Sequence, residues 1–126
     1  MTVVVQSFSY RHGLPAGVDG FVFDCRGLPN PHDDEALRPL TGRDQPVRDF
    51  MAAHADDVQA FLCAVRQLVQ QAIRAGERAG RERLAVSFGC VGGCHRSVYC
   101  AEAFAEFLRA CEDVDVELVH FRLQQL

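Results

Sequence analysis

The stretch Ser87-Phe-Gly-Cys-Val-Gly-Gly-Cys-His-Arg-Ser97 decides how the rest of this sequence is interpreted. It follows the apolar run 84–86, which predicts a short buried strand, and it precedes residues 98–111, whose apolar spacing predicts a helix. A strand that gives way to a helix at glycines leaves backbone N–H groups free at the positive end of the helix dipole. Phosphate is often bound at such places, so the stretch predicts an anion site.

Side chains within this loop suit the same chemistry. Gly92 and Gly93 let the backbone approach a ligand closely because they carry no Cβ atom. Arg96 offers a planar fork of donors that matches phosphate oxygens, and His95 and Ser97 can donate hydrogen bonds as well. We therefore expect the loop to hold a phosphate or a similar anion.

Length and composition predict one globular domain over residues 1–126, with 24% charged and 48% hydrophobic residues. The net charge of -4 argues against broad, unspecific nucleic-acid binding. No apolar run approaches the roughly 20 residues of a membrane span, and no export signal is recognisable, so we expect a cytoplasmic protein. The six cysteines are expected to be reduced, since three of them fall on predicted helices.

The order of predicted elements is β, β, α, α, β, α, β, which indicates an α/β sandwich of two or three layers with a mainly parallel four-stranded sheet. The second strand, 21–26, is almost continuously apolar and is expected to be buried on both faces. Asp56 or Asp57 is expected to cap the longest helix. Alternation in the last strand changes phase near Leu118, which predicts a bulge at Leu118 and Val119.

Loops that follow parallel strands meet at one edge of the sheet. Arg11 and His12 lie in the loop 11–17 after the first strand, and Arg26 follows the second strand. The irregular stretch 27–46 contains four of the five prolines and is expected to be an ordered loop held by leucines. We expect these loops and the glycine loop to converge on one crevice.

Four ordered motifs resemble the C-terminal domain of the RapZ family. They are Ser7-Phe-Ser-Tyr-Arg-His-Gly13, Phe23-Asp-Cys-Arg-Gly-Leu-Pro-Asn-Pro-His32, Leu37-Arg-Pro-Leu-Thr-Gly42 and Gly89-Cys-Val-Gly-Gly-Cys-His-Arg-Ser-Val-Tyr99. The resemblance implies a fold like a phosphofructokinase subdomain. It also implies a sensor of glucosamine-6-phosphate, an RNase adapter that binds small RNAs, and a P-loop domain preceding this one in the family.

The resemblance implies that Gly92, Gly93, His95 and Arg96 bind the phosphate or sugar and that His32 contacts the ligand. Arg11, His12, Arg26 and Arg38 also match positions of the family. The expected set of ligand contacts is completed by Asp24, Cys90, Val91 and Ser97. The chain departs from the family at Val91, where the family has threonine, and at Cys94, where it has a basic or polar residue. It has neither a P-loop motif nor the basic tail that RapZ uses on RNA, so RNA binding is the least favoured function.

The glycine loop also fits a different chemistry. Cys90, Arg96 and Ser97 match the C-x5-R-[ST] loop of cysteine phosphatases, in which a thiolate attacks phosphorus and the arginine clamps its oxygens. No histidine precedes Cys90, and only Asp33 or Asp34 could serve as the acid. A purely structural glycine turn is a further alternative. The spacing of cysteine and histidine in this loop is poor for zinc, so no metal and no cofactor are expected.

For several single residues the sequence leaves more than one interpretation open. His32 is either a ligand contact or a surface loop histidine, and His12 either contacts the ligand or ties its loop. Asp24 binds the amine of a sugar, orients an arginine, or forms an ion pair with Arg26 or Arg38. Arg38 can also act as a structural lid.

The favoured hypothesis is a sugar-phosphate sensor, or a regulator of a protein partner, in cell-envelope precursor metabolism. The long helix offers a face for a homodimer, and neither nucleic acid nor membrane is expected as a partner. The alternatives are an enzyme that uses Cys90 and an RNA-binding adapter.

Overall fold

The computed structural model describes residues 1–16 and 20–126 of the chain. Its strands are β1 (Thr2–Ser9), β2 (Phe21–Asp24), β3 (Arg83–Cys90) and β4 (Asp115–His120); its helices are α1 (Gln45–Ala53), α2 (Ala55–Arg78), α3 (Arg96–Cys111) and α4 (Phe121–Gln124). The four strands form one parallel sheet in the order β2-β3-β1-β4. The predicted α/β class and element order are confirmed, with α4 as an addition. Gly17, the last residue of the predicted loop 11–17, lies outside the described residues.

The core lies between one face of the sheet and the two long helices. In α2 the apolar residues recur at helical spacing on the buried side, as at Leu62, Val65 and Val69, and each of these is at most 2% exposed. Val3 and Val5 of β1 belong to the same cluster, together with the aromatic and small residues of α3. This packing fixes the strand ends, and therefore the loops that follow them.

The prediction that strand β2 is buried on both faces is wrong. It pairs only with β3 and forms an edge of the sheet. Phe21 and Phe23 pack against the core, whereas Val22 is 43% exposed on the opposite face. An apolar run shows that a segment prefers burial, but its place in the sheet is set by the pairing of distant strands.

The glycine loop is shorter than predicted, since β3 continues to Cys90 and α3 already begins at Arg96. Gly89 lies within β3, and the rings of Phe8 and Tyr10 occupy the space that a side chain at this position would need. A Cβ atom there would lie 2.4 Å from the ring of Phe8. This glycine therefore serves close packing inside the sheet, and the turn itself comprises residues 91–95.

No bulge interrupts β4. Its register with β1 is unbroken from Thr2 opposite Asp115 to Ser7 opposite His120. The change of phase in the sequence marks instead the switch from strand to the short helix α4 at Phe121.

The expected aspartate cap of α2 is also wrong. The helix begins at Ala55 with His54 at the N-cap position and no side-chain cap bond, and both aspartates lie in its first turn. Carboxylates there still face the positive end of the helix dipole favourably.

The segment between β2 and α1 is an ordered loop, as predicted. It contains two short 3-10 turns, Pro31–Asp33 and Glu35–Leu37, and the side chains of Leu28 and Leu37 are buried. All six cysteines are free, in agreement with the expectation that they are reduced. Among residues 1–16 and 20–126, no helix is long and apolar enough to cross a membrane.

Candidate functional site

A pocket of about 170 Å³ lies where the loops after β1, β2 and β3 meet, beyond the carboxyl ends of the strands. This confirms the predicted convergence. Its lining residues are Arg11, Asn30, His32, Cys90, Val91, Gly92, Cys94, His95 and Arg96. Seven of these nine residues are among the predicted site residues, and they come from three separate segments of the chain.

The backbone of the glycine loop is held at its first residues and open beyond them. The carbonyl of Val91 accepts hydrogen bonds from the Ser9 hydroxyl at 2.6 Å and from the Arg11 amide at 3.2 Å. The amides of Gly92, Gly93 and Cys94 donate to no acceptor in the described part of the chain. Unpaired amides beside a cavity are donors that a bound anion can satisfy.

The two adjacent glycines of the turn are not equivalent. Gly93 has φ +72°, and a Cβ atom on it would lie 2.7 Å from Cβ of Ser9 and 2.9 Å from Cβ of Arg122. Gly92 has open space around the same position. The shape of the turn therefore requires glycine at position 93, whereas position 92 borders the pocket.

Arg96 is 5% exposed, and its guanidinium joins the glycine loop to the loop after β2. Nη1 donates to the carbonyl of Arg26 at 2.8 Å and to that of Leu28 at 3.1 Å. Nε is buried without a hydrogen-bond partner, and Nη2 donates to no described residue. An unsatisfied donor on a buried charged group is costly unless something accepts from it, and the pocket that Arg96 lines can hold an acceptor for Nη2.

His95 is tied through its ring to the segment that covers it. Its Nε2 lies 2.7 Å from the carbonyl oxygen of Leu40, and because a carbonyl only accepts, Nε2 carries the proton. Burial lowers the pKa of His95, and the neighbouring His32 adds to this effect. The neutral ring then presents Nδ1 as a hydrogen-bond acceptor.

The two pocket cysteines differ in their surroundings. Cys90 is 2% exposed, and its Sγ lies 3.0 Å from Oγ and 3.4 Å from the amide of Ser97. Cys94 is half-buried, and its Sγ lies 3.6 Å from the carbonyl of Gly92. Burial raises the pKa of the Cys94 thiol. Ser97 is thus turned toward Cys90 and does not line the pocket.

Hydrogen bonds within its own loop hold His32 at the pocket. Its amide donates to Oδ1 of Asn30 at 3.1 Å, and its carbonyl accepts from Nε of Arg38 at 2.8 Å. The rings of His32 and His95 are 6.2 Å apart. Arg38 therefore ties its own segment to the backbone of His32, and it does not line the pocket.

Three further predicted residues bond to neighbours outside the pocket. Asp24 and Arg26 form a two-pronged ion pair with a shortest distance of 2.8 Å, and the guanidinium lies 3.9 Å from the ring centre of Tyr10. This pair is about half exposed, and the hydrogen bond from Arg26 lowers the pKa of Asp24. His12 lies with Nδ1 2.9 Å from Oγ of Ser9.

Comparison with known proteins decides the family. The model of the RapZ C-terminal domain family matches residues 1–124. The chain belongs to the RapZ C-terminal domain family. A nucleotide-binding protein of Herminiimonas arsenicoxydans is 46% identical over 114 residues, which are 90% of this chain and 39% of that protein.

Two further relatives give the same result. A nucleotide-binding protein of Pseudoalteromonas translucida is 45% identical over 106 residues, 84% of this chain and 37% of its own length. The RNase adapter protein RapZ of Yersinia pseudotuberculosis serotype O:1b is 46% identical over 110 residues, 87% of this chain and 38% of its own length. This RapZ C-terminal domain thus spans less than two fifths of the length of these relatives.

Asn30 and Cys94 line the pocket but were not among the predicted contacts. Asn30 stands between two prolines, and its side chain caps the 3-10 turn that carries His32. That position in the motif was a readable signal, because an asparagine that starts a turn also keeps its amide donors free. Cys94 was considered only as a departure from the RapZ family pattern and, with Cys90 and His95, as an unfavourable zinc site. Within residues 1–16 and 20–126, no group of three or more His, Cys, Asp or Glu is placed to hold a metal ion.

Proposed function

We propose that this RapZ C-terminal domain binds an amino-sugar phosphate, glucosamine-6-phosphate, in the pocket at the strand ends and reports its presence to a protein partner. One observation carries the proposal: Gly92 and Cys94, whose amides donate to no described acceptor, and Arg96, whose Nη2 donates to no described residue, line the same cavity. Donors of this kind, at the start of a 16-residue helix, are suited to a phosphate group.

The size of the pocket supports a small ligand. Its volume of about 170 Å³ is below the roughly 300–1,000 Å³ of pockets for drug-sized molecules. A monosaccharide phosphate that leaves part of its ring at the opening is compatible with this space.

Side chains around the phosphate position can recognise the sugar. Arg11 is exposed and lines the pocket with His32, so both can reach hydroxyl or phosphate oxygens. The lowered pKa of His95 keeps its ring neutral at pH 7, so its Nδ1 can accept a hydrogen bond from a sugar hydroxyl. The ion pair of Asp24 and Arg26 lies on the loops beside the pocket, where Asp24 can attract the amine of the ligand.

A protein partner is suggested by the relative that is called an RNase adapter protein. The net charge of -4 over residues 1–126 makes RNA the less favoured partner for this chain. A sensor domain that carries ligand information to another protein agrees with these features.

Isothermal titration calorimetry with glucosamine-6-phosphate, glucose-6-phosphate, glucosamine and inorganic phosphate tests the proposal. We expect the first compound to bind most tightly, and Arg11→Ala and His32→Ala to weaken it. The matched control Arg74→Ala, on exposed α2 surface, should bind as the unchanged chain does. A folded protein that binds none of the four compounds would overturn the proposal.

A cysteine phosphatase is the second candidate, because Oγ and the amide of Ser97 both approach Sγ of Cys90 as they do around a nucleophilic thiolate. The engagement of Arg96 with two backbone carbonyls speaks against it. Turnover of p-nitrophenyl phosphate that is lost in Cys90→Ser would support the enzyme. Sugar-phosphate binding without any turnover supports the sensor.

A further inference from the structure

A second and larger concavity lies on the other side of the segment that covers His95. This groove of about 630 Å³ is lined on α3 by Glu102, Glu106 and Arg109. Its other side is lined by Arg43, which precedes α1, and by Arg48 within α1. Ala103 and Gly42 form part of its floor, so an approaching chain meets little steric bulk there. None of these residues takes part in the sugar-phosphate pocket.

The charges of the groove are not balanced. Glu102 is already engaged, since it accepts from Nε2 of the buried His120 at 2.9 Å and lies 3.3 Å from Nε of Arg43. His120 is held in turn by the hydroxyl of Ser7, 2.6 Å from its Nδ1. These contacts hold the carboxylate of Glu102 in place at the groove.

Two arginines that line the groove, one on α1 and one on α3, have no ion-pair partner among the described residues. Arg48 and Arg109 are exposed and form no ion pair in the described part of the chain. Glu106 is the other acidic residue that lines the groove beside Glu102. The groove therefore carries unpaired guanidinium groups on a protein whose net charge is -4.

A short strap, residues 40–43, separates this groove from the pocket and contacts both. On the pocket side, the carbonyl of Leu40 accepts from His95, and the amide of Gly42 donates to the carbonyl of Cys94 at 2.8 Å. On the groove side, Arg43 contacts Glu102. A Cβ atom on Gly42 would lie 2.5 Å from the carbonyl oxygen of His95, so strap and glycine loop are packed without clearance.

We propose that this groove is the docking site for an acidic segment of a partner protein, and that the strap couples its occupancy to the sugar-phosphate pocket. The docking site stands on the groove alone; the coupling rests on the proposed function. Carboxylates of the partner pair with Arg48 and Arg109, and the small residues of the floor accept its backbone or helix face.

Protein is favoured over RNA as the occupant. Two glutamates lie in the groove among the arginines, and they would repel a continuous phosphate backbone. A peptide can place carboxylates against the arginines and neutral or basic side chains against Glu106. Complementary charge of this kind sets partner choice and orientation.

The docking test uses a fluorescein-labelled helical peptide of alanine and glutamate, with glutamates at i, i+3, i+4 and i+7, and the same peptide with glutamine in their place. We expect the acidic peptide to bind, with NMR shift changes in residues 42–48 and 99–110, and the neutral peptide to bind far less. Arg109→Glu and Arg48→Glu should each weaken binding by about tenfold. Arg74→Glu is the control and should change it less than about twofold.

Several outcomes would overturn the docking site. These are the absence of binding by the acidic peptide, equal binding of the two peptides, shift changes outside the groove, and variant-sensitive binding of a single-stranded RNA of similar length with none of the peptide. All of them are measured without sugar phosphate, so they leave the pocket proposal untouched.

Coupling is measured by repeating the peptide titration with saturating glucosamine-6-phosphate. A change in peptide affinity, mirrored by an equal change in sugar-phosphate affinity when peptide is present, supports the strap as the link. Unchanged affinities in a protein that binds both probes would overturn the coupling. If calorimetry shows no sugar-phosphate binding at all, the proposed function fails while the docking result stands.

Discussion

Nε2 of His95 donates to the carbonyl oxygen of Leu40 across 2.7 Å, and this bond joins the glycine loop to the segment that separates the pocket from the groove. The bond forms with a neutral ring, because burial holds the pKa of His95 below its usual value near 6.5. Both the stability of this region and its response to pH follow from that state.

Stability should fall on mild acidification because of His95. The unfolded chain takes up a proton near pH 6.5, whereas the folded chain resists it to lower pH, so the unfolded state binds more protons as the pH decreases. The stabilisation is therefore complete above about pH 6.5–7 and is lost progressively below it. Urea unfolding at pH 7.5 and 5.5 measures this, and His95→Gln should show a smaller difference between the two values. An equal difference in both proteins would contradict the assignment to His95.

Gly93→Ala and Gly92→Ala test whether the turn requires glycine at position 93 but not at position 92. Alanine at position 93 would adopt a left-handed conformation and clash with Ser9, so we expect the free energy of unfolding to drop by about 2 kcal/mol or more. Alanine at position 92 meets open space and should change stability by less than about 0.5 kcal/mol. Chemical denaturation of both variants checks this, and equal stabilities would refute the described turn.

Arg96→Lys should destabilise the protein even without ligand. Nη1 of Arg96 donates to the carbonyls of both Arg26 and Leu28, and the shorter lysine side chain does not place its ammonium group where Nη1 lies. We expect a loss of about 2–3 kcal/mol in unfolding free energy, because charged hydrogen bonds in a buried place are lost. The matched exchange Arg11→Lys, at an exposed position, should leave stability unchanged and affect only sugar-phosphate affinity. A stable Arg96→Lys variant would show that the two carbonyl contacts contribute little.

Val91→Thr restores the hydroxyl that the family pattern has at the pocket. Val91 is 38% exposed and lines the pocket, so threonine fits without cost to the core. One added hydrogen bond to phosphate or sugar should tighten glucosamine-6-phosphate binding by about threefold to tenfold. Val22→Thr, the same exchange on the exposed face of β2, is the control and should leave affinity unchanged. Weaker binding by Val91→Thr would place the ligand elsewhere in the pocket.

The sequence predicted those elements whose pattern is local. The apolar spacing along α2 and the valines of β1 identify both elements directly, and the succession of strands and helices gives a parallel sheet. Two errors had non-local causes. Whether β2 lies at the edge depends on which strands pair with β3. The need for glycine at position 89 comes from the rings of Phe8 and Tyr10, which lie far from it in the sequence.

The candidate site was predictable to the level of its loops. Since parallel strands end at one edge, Arg11, His32 and Arg96 had to come close together. The sequence could not show how hydrogen bonds are shared among them. In the structure, Nη1 of Arg96 donates to backbone carbonyls, and Asp24 accepts from Arg26. These pairings depend on distances of a few ångströms, which the sequence pattern does not specify.

The strand order has a consequence for how the chain reaches its native state during translation. Gln6 pairs in the centre of the sheet with Ser87, which comes 81 positions later. A ribosome must therefore release more than two thirds of the chain before β1 finds either of its neighbours. Until then a valine-rich strand has both edges unpaired, which is the situation that promotes aggregation and makes folding slow.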